Sequence, residues 1–134
     1  MEQGSAGSGH PRAWTNQSTA TRTLNVVVLP LALGVVAGAF LHVPVGYWIV
    51  SLLAAVGAFV AGSEHPTAGP AAVRGLVAGV VYGLGILIVF YSIRHGVEVK
   101  VDPSPSIGTP LVTGIAGAVL TALGALALGR RAAH

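Results

Sequence analysis

Four long apolar runs, separated by short polar breaks, make up most of the chain. The first, LNVVVLPLALGVVAGAFL, covers about 24–41. It is just long enough to cross ~30 Å of hydrocarbon at ~1.5 Å of helix rise per residue. Pro30 lies in its first half, which is tolerated in lipid where neighbouring helices satisfy the freed carbonyl. A secretory signal is the rival reading, because Ala37-Gly38-Ala39 resembles a cleavage site. The long polar segment before it, which lacks Lys, favours an uncleaved helix.

His42-Val43-Pro44 is a tight break, and the second run follows at about 45–62, VGYWIVSLLAAVGAFVAG. So short a connection forces a helical hairpin. The loop SEHPTAGPAA leads to the third run, about 74–93, and the fourth occupies about 109–129 with Pro110 in its first turn. Between them lies the most polar loop, where VEVKV alternates and suits a short strand that Pro103 and Pro105 stop. The pattern predicts an all-α, integral membrane four-helix bundle made of two hairpins. Residues 1–23 form a disordered polar tail, 24–129 the transmembrane domain and 130–134 a short basic tail.

Composition turns this pattern into a class. The chain of 134 residues is 53% hydrophobic and only 8% charged, against about 25% charged in soluble domains. Its mean hydropathy is +0.77. One soluble core of this size could not hide so much apolar surface. The net charge of +3 comes from seven basic residues spread over separate segments, which form no nucleic-acid patch. Six of the seven are Arg, and Ala, Gly and Val abound, a composition typical of an archaeal or other high-GC prokaryotic genome. There is no cysteine, hence no disulfide, thiolate nucleophile or cysteine metal site.

Charge also sets an expected orientation. Four spans put both termini on one side with Arg12, Arg22, Arg74, Arg130 and Arg131, while Arg94 and Lys100 fall on the other. The excess predicts cytoplasmic or internal termini, in a plasma membrane or viral envelope. Trp48, Tyr91, Arg130 and Arg131 are the expected membrane-interface anchors. Asn16-Gln17-Ser18 matches a glycosylation acceptor, but this topology puts it on the side where glycosylation does not occur, so the match reads as chance.

Small residues recur every fourth position. Gly75, Gly79 and Gly83 do so in the third run, Gly34 and Gly38 in the first, and Ala58 and Gly62 in the second; Gly117, Thr121, Ala125 and Gly129 do so in the fourth. Glycine costs about 1 kcal/mol in a helix relative to alanine. In lipid that cost is offset where small residues form a groove that lets another helix backbone approach. These glycine-zipper ridges, with Gly34, Gly38, Gly75, Gly79, Gly83 and Gly117 as helix-packing residues, predict a tight bundle. The third run is the best candidate for an oligomer seam.

Candidate chemistry is sparse. No Asp, Glu, Lys or Arg sits in the middle of a span, although carriers and pumps place ionisable groups there. The spans offer Ser51, Thr113, Thr121 and Tyr82, and Tyr82 is expected to hydrogen-bond a neighbouring helix. Glu64-His65 could titrate near neutral pH but lacks a third metal ligand. His95, Glu98 and Asp102 share a loop best read as solvated. No phosphate loop, dinucleotide fingerprint or HExxH occurs. The expectation is no catalytic residue, no cofactor and no metal.

LNVVVLPLALGVVAGAF, AGSEHPTAGPAAVRGLVAGVV and LVTGIAGAVLTALGALALG together resemble the small four-helix membrane proteins of haloarchaea whose function is unknown. The resemblance covers 24–129 and implies a fold but no site. Small multi-span proteins of enveloped archaeal viruses are similar in size and hydropathy. The expected function is a non-enzymatic multi-pass membrane protein with a structural or protein-interaction role. The alternative is an oligomeric pore-forming or holin-like protein. The expected partners are the lipid bilayer and a homo-oligomer or another membrane protein, without nucleic acid.

Overall fold

Ser18 starts the first helix. Its side chain accepts a hydrogen bond from the Thr21 N–H at 3.2 Å, satisfying one of the donors a helix start leaves over. In the computed structural model, which describes residues 18–93, 98–102 and 104–129, helix α1 runs Thr19–Ala39. It therefore begins earlier than the 24 expected from hydropathy, because the cap and its hydrogen-bonded turn lie in polar sequence. Residues 24–28 widen into a π turn, and the Leu29 N–H donates to the Leu24 carbonyl five residues back. The turn lies directly before Pro30, which has no N–H to give.

Helix α2 (Pro44–Gly62), helix α3 (Ala68–Ile93) and helix α4 (Thr109–Gly129) complete the set. Each carries a proline in its first turn, where a missing N–H has no intrahelical partner to lose. For α3 that proline is Pro70, so the helix starts well before the expected 74 and takes Arg74 inside it. All four helices are long and apolar enough to cross a membrane. The described residues contain no strand: 98–102 have no regular structure, and among the described residues they are tied to the helices through the Lys100 N–H, which donates to the Leu41 carbonyl at 2.9 Å. The neighbour there is the turn between α1 and α2, which offers no ladder.

Helix α3 is the centre of the fold, flanked by α1 on one side and α4 on the other. Helix α2 lies across them, touching α1 near its start and α4 near its end. Few large side chains are buried; Leu41 and Ile86 alone are large and fully enclosed among the described residues. Large apolar side chains instead face outward on every helix, for example Val36, Leu52, Ile88 and Leu111. Such a surface suits a lipid solvent and would be an aggregation liability in water.

Candidate functional site

The seams between helices are made of backbone. A methyl group added at Gly75 would meet Thr121 and the Gly117 carbonyl, and one at Gly79 the Thr113 carbonyl. At Gly83 it would meet Thr113 and Pro110, and at Gly117 the Gly75 carbonyl. The three-glycine face of α3 is thus covered by α4 of the same chain, which occupies the position a second copy would need. Gly34 and Gly38 face α3 at Tyr82, Ile86 and Val89, and Gly85 returns the contact to Leu31 and Val35. The end of α2 meets α4 the same way, through Gly62 and Gly124.

Two threonines of α4 use this closeness. The Thr113 hydroxyl lies 2.7 Å from the Gly79 carbonyl and 2.9 Å from its own-helix Thr109 carbonyl. The Thr121 hydroxyl lies 2.7 Å from the Ala71 carbonyl and 2.8 Å from the Gly117 carbonyl. Each hydroxyl has one proton to share. Interhelical bonds of this kind contribute about 0.6–2 kcal/mol in lipid.

Where α2 crosses α3 the backbones stay apart. A chamber of about 720 Å³ remains, within the range of about 300–1,000 Å³ usual for small-molecule pockets. Its walls are mostly apolar and small, including Ala54, Ala58 and Ala78. Polar groups occur at three levels. Ser104, Ser106 and Thr109 border one end. Part-way along, the Ser51 and Tyr82 hydroxyls are 3.0 Å apart, with Tyr47 interacting with Ser51. Tyr82 therefore does hydrogen-bond a neighbouring helix, as its central position suggested.

At the other end sits an ion pair that the sequence did not disclose. Arg74 Nη1 is 2.6 Å from Glu64 Oε2, and it also donates to the Ala61 carbonyl at 3.2 Å. The Arg74 side chain is 9% exposed and that of Glu64 26%. The cation thereby meets a carbonyl at the C-terminal end of α2, where the helix dipole favours positive charge. Arg74 lies six residues into α3, about 9 Å along its axis. The 26 residues of α3 measure about 39 Å, longer than the ~30 Å hydrocarbon layer. The pair can therefore lie at the headgroup level, consistent with uncharged span centres.

His65, beside the pair, is buried. Burial pushes its imidazole below the ordinary 6.5; the Arg74 charge pushes the same way, while Glu64 and a backbone hydrogen bond at Ala61 oppose it. Trp48, near the start of α2, and Tyr91, near the end of α3, are exposed at the end of the fold away from the ion pair, each edge-on to an adjacent ring, Tyr47 and Phe90. Arg12, Asn16, Arg94, His95, Arg130 and Arg131 lie outside the described residues. Among the described residues no cluster of three His, Asp or Glu side chains could hold a metal ion.

The fold defines a class: an all-helical chain with four helices fit by length and composition to cross a membrane, as expected of an integral membrane protein. Compared with known proteins, the chain matches no family model, no curated protein and no solved structure.

Proposed function

We propose that this chain is a non-enzymatic multi-pass membrane protein with a structural or protein-interaction role, spanning its membrane as two hairpins with both termini on the cytoplasmic or internal face. One observation carries the reading. Outward faces are covered with large apolar side chains, while inward faces are glycine, alanine and threonine. That inversion of a soluble core suits lipid outside and close helix packing inside. It fits the resemblance to small haloarchaeal four-helix proteins, and equally a place in a cellular membrane or a viral envelope.

The pore reading stands second, now favoured by the chamber rather than by an α3 oligomer seam. The polar groups at its two ends and its apolar walls would make a hydrophobic constriction, a gate that opens by wetting. Both readings are testable with the chain's lack of cysteine. Single substitutions Ser63→Cys and Ser106→Cys, treated with a membrane-impermeant maleimide in sealed liposomes, should label from opposite sides. Labelling from one side would overturn the four-span reading. The same liposomes should hold a trapped dye; release proportional to protein density would promote the pore.

A further inference from the structure

The chamber between α2 and α3 has no role in the structural reading, and its chemistry is specific enough to name an occupant. We propose that it binds a membrane-soluble molecule made of one apolar chain and a neutral carbonyl head, the carbonyl accepting a hydrogen bond from the Ser51–Tyr82 hydroxyl pair. The inference rests on the four-span reading, because the chamber then lies within hydrocarbon and is reached from lipid.

Three features support it. The first is donor arithmetic. Ser51, Tyr82 and Tyr47 bring three hydroxyl protons, and Ser51 bonds each tyrosine, so two are spent within the group and one remains to donate. Tyr82 is only 9% exposed, and an unspent donor in a dry apolar site costs free energy until an acceptor arrives. A carbonyl supplies an acceptor and brings no donor of its own. The second is length. From Ser51 to Ala61 along α2 is about 15 Å, a run walled by small residues such as Ala54 and Ala58 and by Ala78 opposite. A single chain fits such a slot, whereas a two-chain phospholipid is too broad to enter whole. The third is closure. The run ends at Arg74 and Glu64, which are already paired to each other. An anionic head there would have to displace Glu64, so the neutral end belongs at the hydroxyls and the chain points toward the ion pair.

Trp48 borders the chamber and reports on it. The chain has two tryptophans, so Trp14→Phe leaves Trp48 as the sole emitter. Purified Trp14→Phe protein in liposomes would be titrated with two quenching probes: decylubiquinone and the methyl ester of 9,10-dibromostearic acid. The first stands for a quinone source and the second for an acyl ester. Saturable quenching is expected with at least one, and whichever binds more tightly identifies the source. Ser51→Ala should weaken that binding about tenfold, the usual effect of losing one hydrogen bond of this kind. Ala58→Phe, which fills the slot, should abolish saturation. Quenching that rises linearly with probe in the lipid, equally in both variants, would mean simple partitioning and overturn the site. Mass spectrometry of organic extracts serves as a check independent of variant folding. Protein purified from membranes should carry a chain-bearing carbonyl compound at near one per protein; recovery of bulk phospholipid alone counts against the proposal. Failure of the four-span reading would show separately, as protein extracted from membranes by alkaline carbonate.

Discussion

Replacing one glycine with alanine tests the seam between α3 and α4 with a sign that helix propensity alone would get wrong. In an isolated helix Gly→Ala stabilises by about 1 kcal/mol. At Gly79 the added Cβ would lie 2.8 Å from the Thr113 carbonyl carbon and 2.9 Å from Gly114 Cα, with the Thr113 oxygen nearer still. Ordinary contact begins at 3.4 Å, so α4 must withdraw by more than 0.6 Å. A gap of about 0.5–1 Å forfeits a quarter to a half of the dispersion attraction along that stretch. Overpacking of this kind costs about 1–3 kcal/mol. The withdrawal also stretches the 2.7 Å bond from Thr113 to the Gly79 carbonyl, worth about 0.6 kcal/mol. The net expectation for Gly79→Ala is a loss of about 1–3 kcal/mol. Gly57 is the internal control: nothing lies within 4 Å of the Cβ it would gain, so Gly57→Ala should be neutral or stabilising by up to about 1 kcal/mol. Reversible unfolding in mixed micelles, followed by circular dichroism as the SDS fraction rises, measures both. If the two variants shift the midpoint equally, the close approach of α3 and α4 is not what holds the bundle, and the argument from glycine fails.

Thr121→Val keeps the side-chain shape and removes the donor to the Ala71 carbonyl; it should cost about 0.6–2 kcal/mol in the same assay. Glu64→Gln takes the charge partner from a mostly buried Arg74 and should cost about 2 kcal/mol; adding Arg74→Gln should recover part of that, and no recovery would mean the two side chains act independently. The pH dependence of stability follows from His65. Its folded value lies below the unfolded 6.5, so between the two the unfolded chain binds more protons. Stability should be full above pH 6.5 and decline as pH falls through the lowered native value, and His65→Asn should remove that part of the slope; a slope unchanged in His65→Asn would place its origin elsewhere.

How much of this could be read from residues alone depended on the range of the interaction. The four helices were legible because hydropathy over about 20 residues is a local property, and the small-residue ridges were legible because period four is local too. Helix starts were less so: Ser18 and Pro70 set them from polar sequence that hydropathy scores as loop. The short strand expected in 97–101 is absent from its described part, 98–101, where no strand lies alongside to pair with it, which its own alternation could not reveal. Which glycine faces which helix was not legible either. Gly75, Gly79 and Gly83 look alike as an oligomer seam or an internal one, and only the position of α4 separates them. The Arg74–Glu64 pair spans a loop and a helix turn, and no spacing rule links its members.

The chamber and the seams come from one sequence habit with two outcomes. Small residues on facing helices let backbones close, as they do between α3 and α4, or leave a void where something else holds the backbones apart. Helix α2 is held at both ends: Tyr47 and Val50 pack against the cluster around Leu41 and Ile86 at its start, and Gly62 meets α4 at its finish beside the Ala61–Arg74–Glu64 contact. Between those fixed points it carries Ala54, Gly57 and Ala58, none of which reaches across the gap. A void of about 720 Å³ held open by contacts at both ends forgoes attraction that larger side chains would supply. Alanine to leucine is a small sequence change that would close it. That the bundle keeps the space, and keeps a hydroxyl proton in it, is why we read the chamber as a site rather than as loose packing.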